Sequence, residues 1–366
     1  MLRLYLLAIT SLICITRAQQ HNAEPTVKGS TDGGWQSFPD VGDATAYPEW
    51  VVNKGMGAYM PVYQTAGQNA TQVTRAIIVL HGKERACWSD WNSLNNALYN
   101  ATYNDPTIKR EHISILGPCF FTEADLKGGA AKDGQLLWGT TTWISGHPNI
   151  APDSVSGFSS FDVLDALVAY YMDKSVYPNL KVLIVGGHSA GGQTTQRYAA
   201  LRKSTKNDDR LQFWIANPGS LCWLTSDRPF PDDSCQGVDE FKYGLESNFP
   251  AYAASNALSL GREGIINRYH SRALSYAWGL KDEGNGDTRC QAEVSCHLSL
   301  VAIAINVPQT QGSSHIARGK QFVAMLENMG GIPNLTTVDW VPGVSHNTAG
   351  MMASDAGIDK VKKVIY

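Results

Sequence analysis

The chain has 366 residues, of which 43% are hydrophobic and 17% charged, so a disordered or fibrous protein is excluded and a large core is possible. Its formal net charge of −3 gives no basic excess, which argues against nucleic acid or an anionic membrane as a partner. The composition therefore indicates a globular protein, whose activity has to come from its motifs.

The first predicted element is a secretory signal peptide at residues 1–18. Arg3 precedes an apolar run at 4–15, and Ala18 fits the small residue of a cleavage site. The run is shorter than the ~20 residues of a membrane-spanning helix, and no apolar stretch of that length follows, so we expect no stable membrane anchor. We therefore expect a secreted, extracellular protein whose mature chain spans 19–366.

Short apolar runs then recur, and their apolar residues are consecutive rather than alternating, which is typical of strands buried on both faces. A stretch with helical spacing follows Ser159, which stands three residues before Asp162 as in a capping box. Strands that alternate with helices predict an α/β fold, with a mostly parallel central sheet flanked by helices, in one domain. The predicted strands are 58–63, 75–82, 112–118, 180–187, 211–217, 274–280 and 336–343.

Ser189 stands at the centre of a Gly-x-Ser-x-Gly motif at 187–191. The motif alone is weak, because a chain of this composition contains it by chance in about one case in five. Its context is stronger, since it follows a predicted strand and opens a helical stretch, as in a nucleophile elbow that projects a serine hydroxyl above a sheet. The flanking glycines leave space for the tight turn, so Ser189 is the candidate nucleophile.

Residues 218–269 interrupt the alternation of strands and helices. They are rich in Pro, Asp, Ser and aromatic residues and contain two cysteines. We interpret this segment as an insertion over the sheet edge that forms a cap or lid.

A serine nucleophile needs a histidine base that is oriented by a carboxylate, and in this kind of fold the order along the chain is Ser, acid, His. Only His346 lies in a loop between a late predicted strand and a terminal helix, so it is the predicted base. The other histidines after the serine are His270, His297 and His315.

The predicted acid follows the strand at 274–280, where three carboxylates occur. Asp282 is nearest to the strand end and is the first choice, Asp287 is the second, and Glu283 lies between them. The alternative for Asp282 and for Asp287 is an aspartate that lies in a turn, is exposed to solvent and has no catalytic role.

An acyl-transfer site also needs backbone amides that bind the developing oxyanion. The usual donors are the residue after the nucleophile and a residue in the loop after an earlier strand, which predicts Ala190 and Lys83. We interpret His81, at the end of that earlier strand, as a structural residue that holds the loop.

The mature chain contains six cysteines, an even number that indicates three disulfides in a secreted protein. Fifteen pairings of six cysteines are possible, and positions near the same strand ends or loops favour one of them. Zinc is the alternative, but the chain has no Cys-x-x-Cys spacing and no closely spaced histidine pair, so we expect no metal and no cofactor. The expected pairs are Cys87–Cys119, Cys222–Cys235 and Cys290–Cys296.

Three Asn-x-Thr sequons fit the same oxidising compartment, and each predicts a glycosylated surface position. A group of aromatic residues in predicted loops suggests an apolar acyl or aryl pocket, although each one taken separately is more typical of core. The sequons are at Asn69, Asn100 and Asn334, and the predicted substrate-binding aromatics are Trp88, Trp91, Phe120, Trp143 and Trp223.

Six segments together carry a resemblance to a family: LHGKERACWSDWN, SSFDVLDALV, GHSAGGQTTQRYA, ANPGS, DEGNGDTRCQA and VPGVSHNTAGM. Over most of the mature chain, the sequence resembles a group of secreted, esterase-like fungal proteins with the α/β-hydrolase fold. The resemblance implies that fold with a cap, a triad of Ser189, Asp282 and His346, and the oxyanion amides named above. Asn217-Pro218-Gly219-Ser220-Leu221 departs from the Asn-Pro-Ser-Ser-Tyr that similar proteins tend to have, which bears on substrate preference.

The leading interpretation is a secreted serine hydrolase that cleaves small-molecule carboxylic esters through an acyl-enzyme. One alternative is a peptidase, or an enzyme of secondary metabolism that opens lactones or condenses substrates with the same triad. The alternative from another class is a non-catalytic binding protein on a hydrolase scaffold. The intact residues in the expected order favour catalysis.

Overall fold

The computed structural model describes residues 21–284, 290 and 310–362. The predicted signal peptide, Asp287, His297 and Cys296 lie outside the described residues. Within the described part of the chain, no helix is both long enough and apolar enough to cross a bilayer.

The described chain alternates strands and helices, as predicted. The strands are β1 (Gly29–Ser30), β2 (Gly34–Trp35), β3 (Ala44–Asn53), β4 (Ala58–Thr65), β5 (Arg75–Leu80), β6 (Ile113–Pro118), β7 (Val182–His188), β8 (Leu211–Ala216), β9 (Ala273–Gly279) and β10 (Thr336–Val341). The α-helices are α1 (Cys87–Asn104), α2 (Glu123–Gly128), α3 (Ser160–Met172), α4 (Ala190–Leu201), α5 (Ala254–His270), α6 (His315–Asn328), α7 (Thr348–Met352) and α8 (Asp355–Lys362).

Eight strands form one sheet in the order β10-β9-β8-β7-β5-β6-β4-β3. The strands from β10 to β6 pair in parallel, and β4 and β3 continue the sheet in antiparallel fashion. All seven predicted strands and the mostly parallel sheet are confirmed. Because parallel strands share one carboxyl edge, the residues that follow β5, β7, β8, β9 and β10 come together there.

The sequence reasoning missed β3, which is one of the two edge strands of the large sheet. Its residues are half-buried or exposed, so it lacks the consecutive apolar pattern of the inner strands. It also contains Pro48, and the pairing with β4 shifts register between Tyr47 and Trp50. Proline is tolerated there because an edge strand does not need every backbone donor for a ladder.

Each face of the sheet carries its own hydrophobic cluster. In β5, Ile78 belongs to the first cluster and Ile77 to the second, because successive side chains of a strand point to opposite faces. Helices α3, α4, α5 and α6 contribute to the first cluster, and α1, α7 and α8 to the second. The capping box predicted for α3 is present, with the Ser159 side chain accepting from Phe161 and the Asp162 side chain accepting from the Ser159 amide.

The predicted insertion divides into two parts. Residues 218–253 are irregular and contribute no strand to the sheet, whereas α5 packs on the first cluster through Ala257, Ile265 and Tyr269. The side chains of the three predicted glycosylation sites are exposed, as a modified asparagine requires. These are Asn69, Asn100 and Asn334.

Candidate active site

Ser189 lies in a tight turn between β7 and α4, with φ of 59° and ψ of −120°. Positive φ is unfavourable for a residue with a Cβ atom, so the surrounding packing must hold the turn. A Cβ atom on Gly187 or on Gly191 would overlap the carbonyl oxygen of Leu80. The predicted role of the two glycines, which is space for the turn, is confirmed.

Ser189, His346 and Asp282 form one continuous chain of hydrogen bonds. The distance from Ser189 Oγ to His346 Nε2 is 2.8 Å, and that from His346 Nδ1 to Asp282 Oδ2 is 2.7 Å. The Asp282 side chain is fully buried, whereas the His346 side chain is 31% exposed and Ser189 is half-buried. A buried carboxylate therefore holds an imidazole whose other nitrogen faces a hydroxyl group near solvent, the arrangement that lets histidine take the serine proton.

The two histidines that contact Asp282 keep it ionised. Burial acts to raise the pKa of this carboxyl group, but hydrogen bonds from His315 and His346 outweigh burial and hold the pKa of Asp282 well below its usual range. A carboxylate beside His346 stabilises the imidazolium that forms when the ring gains a proton. Of the two predicted acids that the structure describes, Glu283 is exposed and Asp282 contacts the histidine.

Asn217, which directly follows β8, ties the strand ends to the loop of His346. Its buried side chain accepts a hydrogen bond from the Gly279 amide at 2.7 Å through Oδ1. Its Nδ2 donates to the Ser345 carbonyl and to His188 Nε2, both at 3.1 Å. The sequence reasoning quoted Asn217 only as part of a motif and missed this role; its position directly after a buried strand was the available signal.

His188 precedes the nucleophile but is not placed to serve as its base. Its Nε2 accepts from Asn217, and its Nδ1 lies 3.0 Å from Thr348 Oγ1. Burial and the neighbouring His346 lower the pKa of His188 to about 3, so the ring is neutral near pH 7. The ring centroid lies 4.7 Å from that of His346. His188 therefore packs against the base and forms part of the turn, as predicted.

A second histidine contacts the same carboxylate. His315 begins α6, and its Nδ1 lies 3.0 Å from Asp282 Oδ1. Its ring centroid lies 4.4 Å from that of His346. The sequence reasoning considered His315 only as a rival base, and the structure gives its Nδ1 to the acid instead. The other rival in the described chain, His270, ends α5.

Asp282, His315 and His346 also form a group of metal-binding residue types whose ligand atoms lie within 4.8 Å of one another. Each oxygen of Asp282 already accepts from one Nδ1 atom, and His346 Nε2 faces Ser189. Both carboxylate oxygens, both Nδ1 atoms and His346 Nε2 thus already have hydrogen-bond partners, so we assign no metal to the group. The expectation of no metal or cofactor stays a prediction.

The two predicted oxyanion donors belong to segments beside Ser189. Ala190 is the first residue of α4, where backbone N–H groups have no acceptor within the helix. The turn after β5 lies close to the nucleophile, since a Cβ atom on Gly82 would lie 3.9 Å from Ser189 Cβ. Lys83 follows Gly82 and is exposed. Their binding of an oxyanion stays a prediction.

The turn that carries Lys83 is held from behind by buried contacts. Arg85 and Asp125 form an ion pair in which both side chains are fully buried and Nε lies 2.7 Å from Oδ2. The Cys87–Cys119 disulfide links the following helix to the end of β6, as predicted. The sequence reasoning quoted Arg85 only within a segment of the resemblance and assigned no role to it or to Asp125.

His81 has the structural role that the sequence predicted. Its Nδ1 lies 2.8 Å from the Gly82 carbonyl oxygen, and its Nε2 accepts from the Phe120 amide at 3.0 Å. Full burial lowers the pKa of His81 to about 4, so the neutral ring connects the ends of β5 and β6.

No family model matches the chain, and no curated protein matches it significantly. Among solved structures, the chain is similar to poly(aspartic acid) hydrolase-1 from Sphingomonas sp. KT-1, with a TM-score of 0.52 and 20% identity over 84% of this chain and 95% of that chain. It is also similar to LpqC, a poly(3-hydroxybutyrate) depolymerase from Bordetella parapertussis, with a TM-score of 0.50 and 16% identity over 84% and 86%. The chain has an α/β-hydrolase fold.

Two of the predicted disulfides of this α/β-hydrolase fold are wrong. Cys235 bonds Cys290, which excludes the expected pairs Cys222–Cys235 and Cys290–Cys296. Cys222 is buried in the first hydrophobic cluster and has no disulfide within the described residues. Closeness along the chain was a poor guide because Cys222 turns into the core, whereas Cys235 lies on the outer loop that meets the segment after the acid.

The aromatic residues predicted to bind substrate are buried in the core, and their contact with a substrate stays a prediction. All five rings are at most 2% exposed, and they divide between the clusters on opposite faces of the sheet. The prediction placed all five residues in loops, whereas Trp88 and Trp91 lie in α1, and each of the five rings adds to the core, where burial of a large apolar surface is favourable. Trp88 and Trp91 lie in the second cluster, and Phe120, Trp143 and Trp223 lie in the first.

Proposed function

We propose that the protein is a serine hydrolase that cleaves carboxylic esters. The observation that carries the proposal is the unbroken chain of hydrogen bonds from Ser189 through His346 to Asp282. The chain of bonds stands at the carboxyl edge of a mostly parallel sheet, where enzymes of this architecture place their catalytic residues. Esters are favoured over peptides because the sequence has no feature of a peptide-binding groove.

In the proposed reaction, His346 Nε2 takes the proton of Ser189 as the serine oxygen attacks the ester carbonyl carbon. Asp282 stabilises the imidazolium, and the amides of Ala190 and Lys83 bind the tetrahedral oxyanion. The imidazolium then gives its proton to the departing alcohol, which leaves an acyl group on Ser189. His346 next removes a proton from water as the water oxygen attacks the acyl carbonyl carbon, and it then returns that proton to Ser189 Oγ as the bond between serine and the acyl group breaks and the acid leaves.

We also propose that the enzyme acts outside the cell. Two disulfides, Cys87–Cys119 and Cys235–Cys290, support an oxidising compartment, because such bonds are rare in reducing ones. The exposed sequons and the apolar N-terminal run of the sequence are consistent with export.

A fluorophosphonate probe tests the reaction class, because it forms a covalent bond only with an activated serine. We expect labelling at Ser189, located by mass spectrometry of the peptide, and none in Ser189→Ala. His346→Ala is expected to lower both labelling and ester turnover by ~10⁴-fold or more, since the two residues act as a unit. Both variants are first shown to unfold cooperatively. Absence of labelling in folded wild-type protein would leave the non-catalytic binding protein as the better reading.

A matched substrate panel tests the bond that is cleaved. Nitrophenyl esters of increasing acyl length are compared with nitroanilides of the same acids. Because the two similar structures are named for poly(aspartic acid) and poly(3-hydroxybutyrate), the panel includes short oligomers of both. We expect the esters to react faster, whereas faster release from the anilides would favour a peptidase.

A further inference from the structure

The site contains an imidazole that the proposed reaction does not use. His315 Nδ1 lies 3.0 Å from Asp282 Oδ1, while His346 Nδ1 lies 2.7 Å from the other oxygen, Oδ2. A carboxylate can rotate about its terminal bond, and one donor alone leaves that rotation open. Two imidazole donors on opposite oxygens fix the plane of the carboxylate and so direct Oδ2 at His346.

The backbone around His315 holds the ring in this place. The His315 amide donates to the Gly284 carbonyl at 2.9 Å, and the Ile316 amide donates to the Asp282 carbonyl at 3.1 Å. The first turn of α6 is therefore attached to the segment that carries the acid. The side chain of His315 is 9% exposed, so water competes little for the carboxylate.

The charges that face His315 come from three elements. Asp282 follows β9, His346 follows β10, and Arg318 lies one turn further along α6, where it donates to the Gly312 carbonyl at 2.9 Å. Burial lowers the pKa of His315, and the charges of His346 and Arg318 act in the same direction, against the hydrogen bond to Asp282. A neutral ring with its proton on Nδ1 donates to Oδ1 without adding a positive charge beside His346.

We infer that His315 is a positioning residue of the site, which acts through Asp282 to orient His346 and never touches the substrate. The inference rests on the proposed function, because it assigns a role within that triad. It differs from a purely structural role in one respect, since it requires an N–H donor at the Nδ1 position rather than only a ring of similar size.

A matched pair of variants distinguishes the effect of the N–H donor of His315 from the effect of its side-chain volume. His315→Leu removes the donor, and His315→Asn keeps an N–H group near the position of Nδ1. Loss of a hydrogen bond to a charged group is expected to lower kcat by about 10- to 100-fold in His315→Leu, with little change in KM. His315→Asn is expected to restore most of the loss, and His270→Leu, at the end of α5, is the control with wild-type activity.

The pH profile of kcat/KM is a measurement that a purely structural role of His315 would leave unchanged. With one donor fewer, the negative charge of Asp282 acts more strongly on His346 and favours its protonated form. The acid limb of kcat/KM, which reports the base in the free enzyme, is therefore expected to shift to higher pH in His315→Leu. In His315→Asn the acid limb is expected to stay close to that of the wild type.

A double-mutant cycle completes the test. In an Asp282→Asn background, His315→Leu is expected to cause little further loss, because the group it acts through has been replaced. Two results would overturn the inference while Ser189 of the wild type still reacts with the fluorophosphonate. One is an equal loss of kcat from His315→Leu in the wild-type and the Asp282→Asn backgrounds. The other is a His315→Leu variant with the kcat and the acid limb of the wild type. Failure of wild-type Ser189 to react overturns the proposed function instead. If His315→Leu does not fold, His315→Phe replaces it, with the same expected results.

Discussion

At the scale of single residues, the position of the nucleophile depends on close packing around its turn. This packing leaves no space for a Cβ atom on either flanking glycine. Ser189 keeps a positive φ, and Gly187 and Gly191 both face the carbonyl oxygen of Leu80. That oxygen belongs to the end of β5 and cannot turn aside as a flexible side chain could. Glycine is therefore required at both positions for a steric reason, which is independent of the chemistry of the serine.

Gly191→Ala tests this steric requirement. Overpacking against the backbone is expected to lower the free energy of unfolding by about 1–3 kcal/mol. The displaced serine is expected to react with the fluorophosphonate at least ~10²-fold more slowly, because a shift of about 1 Å is enough to lose that factor. Gly55→Ala is the control, since its Cβ atom would meet only the Asn53 side chain, at 3.4 Å. Wild-type labelling in Gly191→Ala would contradict the explanation.

At the scale of elements, the turn between β5 and α1 is held in place by contacts with other segments of the chain. The turn carries Lys83 and the positive φ of Arg85, and it is held by the ion pair with Asp125 and by the Cys87–Cys119 disulfide. Asp125 also caps α2, since it accepts from the Thr122 amide at 2.9 Å. One carboxylate thus connects α2 with the turn beside the nucleophile.

Asp125→Ala is expected to destabilise the protein strongly, because it leaves the Arg85 guanidinium buried without its counter-charge. Breaking a fully buried pair from one side lowers the free energy of unfolding by about 3–5 kcal/mol, measured by urea denaturation. The matched control is Lys362→Ala, which removes the partly exposed pair between Lys362 and Asp105 and is expected to change stability by less than ~1 kcal/mol. Similar losses of unfolding free energy in the two variants would contradict this explanation, because burial of the ion pair between Arg85 and Asp125 would then have no effect on stability.

At the scale of the whole molecule, stability depends on pH through a carboxyl group that folding removes from water. Asp90 lies in the first turn of α1, and its Oδ1 is buried with no hydrogen-bond partner among the described residues. Burial raises the pKa of Asp90 from 3.8 to about 8, a hydrogen bond from the Gly82 amide opposes the rise, and Glu84 and Glu24 add to it. The folded protein therefore holds the proton more tightly than the unfolded chain does.

The sign of the pH dependence follows from this difference. Asp90 contributes fully to the free energy of unfolding below pH 4. This contribution falls by about 1.4 kcal/mol per pH unit as the pH rises towards 8. Urea unfolding of wild type and Asp90→Asn is measured across this range. The stability of the wild type relative to Asp90→Asn is expected to fall as pH rises, and a constant difference would contradict the assignment. Asp173→Asn, at an exposed carboxylate with a lowered pKa, is the control without a slope in this window.

The parts of this protein that could be predicted from its sequence are those with a local cause. Runs of consecutive apolar residues predicted the six inner strands of the large sheet, because a strand buried on both faces needs apolar side chains in succession, and the edge strand β10 was predicted with them. The order of Ser189, Asp282 and His346 predicted which residues meet, because parallel strands bring their carboxyl ends to one edge. The edge strand β3 escaped the same reasoning because a half-exposed strand has no such run.

Some contacts between distant segments were decided by tertiary structure alone. Asp282 and His315 are 33 residues apart, and no spacing or motif marks two side chains that meet only when α6 packs beside the end of β9. The Cys235–Cys290 bond depends equally on where the outer loop lies. Local sequence selects backbone conformation through sterics and hydrophobic burial, so it determined the strands, the turn at Ser189 and the order of the candidate site. The partners of buried polar groups depend on the packing of whole elements, and only the folded chain determines that.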